Sequence, residues 1–182
     1  MTKCKICKVE YTKQRMMQKC CSNECAEIFG KNKTKLEFEK KMRSDTKLRK
    51  DKLKSNSDFA NEAQSAVNRY VNLRDRDIPC ICCGKSPYEG VRHASHYKSR
   101  GSNSYLRYSL WNLHSSCYSC NVMKSGNIGD YRPNLIKKIG IEKVEFLENA
   151  PRSRNYSKEY LVRLKRVFAK KALRAEKRIN KG

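Results

Sequence analysis

Cys80-Ile81-Cys82-Cys83-Gly84 and Cys117-Tyr118-Ser119-Cys120 decide how this chain folds. Each contains a Cys-x2-Cys spacing, which lets one tight turn bring two thiolates to the same point. Two such turns complete the tetrahedral shell of a zinc ion. Cys80, Cys83, Cys117 and Cys120 are the expected ligands, and Cys82 is the spare. Four thiolates leave no open position for substrate, so this zinc staples the chain and does no chemistry. Further out, Cys4-Lys5-Ile6-Cys7 and Cys21-Ser22-Asn23-Glu24-Cys25 offer a second structural zinc site: Cys4, Cys7, Cys21 and Cys25. The neighbouring Cys20 is an alternative to Cys21.

Stapling of this kind answers a problem set by composition. Only 38% of the 182 residues are hydrophobic and the mean hydropathy is -0.88, so apolar burial alone cannot build a large core. Lys and Arg number 42 against 18 Asp and Glu, a formal charge of +24. Two tetrathiolate zinc sites would reduce this to about +20. Such a charge is the footprint of a nucleic-acid binder. No run approaches the roughly 20 apolar residues of a membrane span, and Met1-Thr2-Lys3-Cys4 leads into charge rather than an apolar stretch, so no membrane partner is expected. Ten cysteines in a reducing compartment serve as thiols or metal ligands.

Four segments follow. Residues 1–30 form the N-terminal zinc module. Residues 31–56 are a basic linker, either a solvated helix or a fluctuating chain. Residues 57–150 hold the second zinc module, introduced by an amphipathic helix over 57–76. There Phe59, Ala63, Ala66, Val67, Tyr70 and Val71 share one face and Ser57 or Asp58 caps the start. Short helices are expected at Leu135–Ile139 and Val144–Leu147. Residues 151–182 carry a basic helix with Leu161, Leu164 and Phe168 on one stripe.

All three histidines, His93, His96 and His114, fall between the two knuckles. Glu89 is the only acid there, too few carboxylates for a two-metal nuclease. Serines are plentiful, but no nucleophile-elbow motif accompanies them. What remains is a His-and-Asn site. His96 is the expected base taking a proton from water. Asn112 orients its ring, and one weakly held Mg²⁺ or Mn²⁺ ion serves the phosphate. Lys98, Arg100, Arg107 and Lys124 are the candidates for flanking phosphates.

The segments Arg76-Asp77-Ile78-Pro79-Cys80-Ile81-Cys82-Cys83-Gly84, His93-Ala94-Ser95-His96-Tyr97, Asn112-Leu113-His114 and Cys117-x2-Cys120-Asn121-x2-Lys124-Ser125-Gly126-Asn127 resemble the lambdoid phage NinG (Rap) recombination proteins. The resemblance extends over most of the chain in the same order. It implies a small, zinc-stapled α+β fold with an HNH-type (His-Me finger-like) ββα-metal core, an N-terminal zinc module and flanking basic helices. It also implies a structure-specific endonuclease acting on branched DNA, Holliday junctions and D-loops, in the cytoplasm of a bacterial host. A homodimer would suit the two cuts a four-way junction needs. Where HNH sites place a metal-binding residue directly before the base, this chain has Ser95. The resemblance therefore leaves the catalytic ion to be shared among His93, His114 and Asn121.

Overall fold

The computed structural model describes residues 1–88 and 90–180; Glu89, the interior acid noted above, and Lys181 and Gly182 lie outside the described residues. The chain divides into two compact units, Met1–Lys54 and Ser55–Gly182.

In the first unit, β1 (Thr2–Lys3) and β2 (Glu10–Tyr11) pair antiparallel around the first knuckle. A helix, α1 (Asn23–Leu53), follows. Ser22 caps it, its Oγ accepting from the Cys25 N–H at 3.3 Å. The helix thus begins inside the cysteine module and takes up the whole basic stretch. None of its residues is buried, because Leu36, Phe38, Met42 and Leu48 do not line up into a stripe. Its support is local: the cap and ion pairs such as Lys31–Glu27 at 2.7 Å.

The second unit is a two-stranded hairpin held between helices. Strands β3 (Arg92–His96) and β4 (Leu113–Cys117) pair antiparallel, with His93 opposite Ser116, Ser95 opposite His114 and His96 opposite Leu113. Against one face packs α2 (Asn56–Arg74), and α5 (Lys158–Ile179) packs along α2. Their core joins Phe59, Ala63, Val67, Val71, Tyr108, Leu113, Leu161 and Phe168. The C-terminal helix is therefore part of this domain's core, through Leu161, Phe168 and Ala172. Beyond β4 a five-residue π-helical turn (Ser119–Met123) leads to α3 (Ile128–Ile139) and α4 (Ile141–Asn149). Tyr131, Leu135, Val144 and Leu147 form a second core with Tyr97, Leu106 and the cysteines. Tyr131 Oη donates to the Ser95 carbonyl at 3.2 Å, tying α3 to the hairpin.

The cap of α2 is Ser55, rather than the expected Ser57 or Asp58. Ser55 Oγ accepts from the Asp58 N–H while Asp58 accepts from the Ser55 N–H, a capping box. At its other end Asp75 is buried and receives Arg74 at 2.8 and 2.7 Å, the Ser115 N–H at 3.1 Å and Lys138 Nζ at 3.5 Å. Burial alone would raise its pKa, but Arg74 and Lys138 overcome this and hold the carboxyl below its usual range. One carboxylate thus joins α2, β4 and α3.

Candidate functional site

The second cysteine cluster fixes the hairpin at its root. The Sγ atoms of Cys80, Cys83, Cys117 and Cys120 all lie within 4.8 Å of one another. Gly84 N–H donates to the Cys80 carbonyl at 3.0 Å, closing the knuckle with Gly84 at φ +69°. The other two ligands sit at the last residue of β4 and in the π-helical turn. Burial raises the Cys80 thiol, but backbone N–H groups of Cys83, Cys117 and Cys82 outweigh it and leave it at about 6. Cys120 is pushed up to about 12 by burial and by its neighbour Cys83. Four thiols this close cannot all ionise without a cation between them, and a tetrahedral Zn²⁺ fits the donor set. Cys82 stays out, its Sγ 3.5 Å from the Gly126 carbonyl.

In the first unit Cys4, Cys7, Cys21 and Cys25 form an equivalent group, also within 4.8 Å. Cys20 is buried beside it but outside it. The structure therefore selects Cys21 over Cys20. Among the described residues no third group of three or more His, Cys, Asp or Glu side chains converges on one point.

A cavity of about 360 Å³ opens along the outer edge of β3. His93, Ser95 and His96 reach it from the strand, Ser99 and Arg100 from the following loop, Asn121 from the π-helical turn and Asn68 from α2. His96 ends β3, with Nε2 3.0 Å from the Arg107 carbonyl. A carbonyl only accepts, so Nε2 carries the proton and the neutral ring keeps its lone pair on Nδ1. Burial pushes the imidazole down to about 4, with Arg100 and Arg107 adding to the effect. The ring is neutral at pH 7.

The remaining expected residues divide sharply. His93 and Asn121 share the cavity with His96 and Arg100. His114 does not: it shares the hairpin face of His93 and Ser95, but it is 2% exposed with its ring packed edge-on to Tyr131. Its Nε2 faces the Trp111 carbonyl at 3.0 Å and its Nδ1 faces Arg74 at 3.4 Å. Burial, then Lys138, lowers its pKa to about 4. It is a core histidine with both nitrogens engaged and no position left for an ion. Asn112 is fully buried, and its side-chain hydrogen bonds go to the backbone and not to the His96 ring. Its Oδ1 accepts from the Lys98 N–H at 2.7 Å, and its Nδ2 donates to the Lys98 and Leu106 carbonyls at 3.0 and 3.2 Å. It ties the two ends of loop 97–112 together, and the loop's own Arg107 carbonyl orients the ring.

Of the four basic residues, Arg100 is exposed beside the cavity. Lys98 lies over the Tyr97 ring at 5.3 Å, and Lys124 is exposed at the end of the π-helical turn. Arg107 is committed inward, donating to Gln64 Oε1 at 3.2 Å and Asn61 Oδ1 at 3.1 Å.

Sequence spacing missed three contributors. Asn68 comes from a helix that precedes the first knuckle of this unit; Gln64 Nε2 donates to its Oδ1 at 2.8 Å. Ser125 and Gly126 also line the cavity, within three consecutive residues of positive φ: Ser125 +48°, Gly126 +92° and Asn127 +48°. Such backbone is costly and is concentrated at functional sites. The one signal for it was Ser125-Gly126-Asn127 as turn-forming residues.

These features define a strongly basic α+β protein with two tetracysteine clusters. The chain belongs to the NinG family: the family described as Bacteriophage Lambda NinG protein matches residues 1–178. It is 37% identical over 125 residues to Protein ninG of Salmonella phage P22, covering 69% of this chain and 61% of that one. It is 42% identical over 103 residues to Protein ninG of Escherichia phage lambda, covering 57% and 50%. With Protein ninG of Enterobacteria phage H19B it shares 35% over 161 residues, covering 81% and 80%. The matched stretch thus spans half of the lambda relative and about three-fifths of the P22 one. No solved structure matches the chain. Among the described residues no helix is long and apolar enough to cross a membrane.

Proposed function

We propose that this protein is a DNA endonuclease that hydrolyses phosphodiester bonds in branched recombination intermediates, with His96 as the general base. The observation that carries this reading is the His96 ring: neutral, with Nε2–H spent on the Arg107 carbonyl and Nδ1 left to take a proton, at a cavity that also holds Arg100 and Asn121. Water positioned at Nδ1 loses its proton to the ring as its oxygen attacks phosphorus; the bond from phosphorus to the 3′ oxygen breaks, the leaving 3′ oxygen takes a proton from solvent, and Arg100 neutralises phosphate charge. A hairpin stapled at its root and followed by helix α3 supports the HNH-like reading of the core. The geometry of the two zinc clusters fits a structural role.

The donor set does not form a cage for the divalent ion. His93 and Asn121 offer one imidazole and one amide, and no carboxylate lines the described cavity. Mg²⁺ prefers oxygen ligands, so the substrate phosphate would have to complete its shell. The same missing carboxylates favour a second reading, a non-catalytic zinc-dependent DNA-binding protein.

The test incubates purified protein and His96→Ala with labelled four-way junction, duplex and single-stranded DNA, with and without added Mg²⁺ or Mn²⁺. The nuclease reading expects metal-stimulated cutting of the junction, reduced by about 10²- to 10⁴-fold in the variant with binding retained. Tight junction binding without cutting in any metal would establish the second reading instead. Sedimentation of the junction complex reports whether two copies assemble on it, as two symmetric cuts require.

A further inference from the structure

Several large aromatic rings of the second unit are not in its cores. Trp111, Phe146 and Tyr160 are 43%, 47% and 38% exposed and line one groove of about 420 Å³ with Tyr105, Arg154 and Tyr156. Trp111 and Phe146 meet edge to face with centroids 5.9 Å apart. The Arg154 guanidinium lies over Tyr105, Tyr156 and Tyr160 at 5.9, 5.2 and 5.6 Å, and Lys143 Nζ is 5.5 Å from the Trp111 ring. None of the groove's described lining residues is acidic.

This chemistry selects a partner. Exposed ring faces beside fixed cations suit a flat, π-rich, negatively charged ligand. A duplex hides its base faces in its own stack and offers only phosphates and edges. An unpaired strand offers both the π faces and the charge. A basic peptide is disfavoured, since no carboxylate waits for it. We propose that the groove formed by Trp111, Phe146, Tyr160 and Arg154 binds unpaired bases of single-stranded DNA by stacking. Arg154 and Lys143 stand beside the strand's backbone. Loop 97–112 runs from the cavity, where it places Ser99 and Arg100, to the groove, where it places Tyr105 and Trp111. An open strand at the groove is thus held by the same loop that borders His96, yet the groove's binding does not require His96 to act as a base.

Trp111 is the chain's single tryptophan, so its emission reports on this groove alone. The full zinc-loaded chain is titrated without added divalent metal against oligothymidylate, an abasic oligomer of the same length, and duplex. Oligothymidylate is expected to quench Trp111 saturably and to bind about tenfold or more tighter than the abasic strand. Phe146→Ala and Tyr160→Ala should each weaken binding by about tenfold, and Phe146→Tyr should restore it. His96→Ala should bind like the unaltered protein, which separates this inference from the nuclease reading. Equal binding of the abasic oligomer by the unaltered chain would overturn the proposal. So would unmoved Trp111 emission with every oligomer, which would turn the groove over to a protein partner.

Discussion

Residues 4–9 and 80–85 fold into the same turn. The Cys4 N–H donates to the Val9 carbonyl at 2.9 Å, as Cys80 does to Lys85 at 2.9 Å. Lys8 and Gly84 then occupy the same left-handed position, at φ +64° and +69°. What differs is where each knuckle finds its other two thiols. The first closes onto Cys21 and Cys25 at the start of α1, a helix that buries nothing. The second closes onto Cys117 and Cys120, at the end of a strand whose five residues are all buried. The same spacing therefore heads a helix with no buried residue in one place and roots a packed hairpin in the other. A knuckle specifies a metal turn; its surroundings decide what the metal holds in place.

Removing one ligand from each cluster should break this comparison most strongly. Cys117→Ser and Cys7→Ser should each lower bound zinc from two ions per chain to one, as metal analysis will report. Only Cys117→Ser should also abolish amide-exchange protection across β3 and β4, because structural zinc binding contributes on the order of 10 kcal/mol to the fold it closes. Protection in the hairpin that survives Cys117→Ser would show that helix packing alone suffices.

Next in size is Asp75, which does in the second unit what nothing does in the first: it holds a buried charge between three elements. Asp75→Ala strands Arg74 and Lys138 and should cost about 3 kcal/mol in urea unfolding of the zinc-loaded protein. A loss under about 1 kcal/mol would mean that the network is solvated. The left-handed position sharpens the comparison at smaller scale. Lys8→Gly should stabilise the first knuckle by about 1 kcal/mol and Gly84→Ala should destabilise the second by a similar amount. Zinc-retention times against a competing chelator read both, and equal effects of the same sign would refute the shared turn.

Smallest near neutral pH is the response of the buried imidazoles. His96 and His114 have pKa values near 4, below the ordinary 6.5, so the unfolded chain takes up protons that the folded one refuses. Stability should therefore fall as pH drops from 6.5 toward 4. In nitrogen-resolved NMR both rings should remain neutral from pH 8 to about 5.5, with the His96 proton on Nε2. A ring that titrates near 6.5 would be solvated, and the Arg107 hydrogen bond would not be holding it.

Much of this was legible in order of locality. The Cys-x2-Cys spacings pointed to both clusters, since a turn of four residues is a local event. Helix α2 was visible because its apolar residues repeat at the helical period, although its cap lay two residues earlier. The basic stretch of α1, from residue 31 on, showed neither stripe nor breaker, so its charge pattern left helix and fluctuating chain open.

By itself the sequence determined the basic character, two cysteine clusters with Cys20 and Cys21 left as alternatives, and the gathering of histidines near the second cluster, because these depend on residue type and short spacing. The tertiary structure alone decided that His114 faces inward while His93 faces the cavity, that Asn112 braces a loop, and that the Arg107 carbonyl holds His96. It also decided that Asn68 belongs to the site and that Trp111 shares a groove with Tyr160. Which end of a strand face a helix covers, the direction of a backbone carbonyl and the meeting of distant helices all depend on which segments pack together, and no local spacing records that.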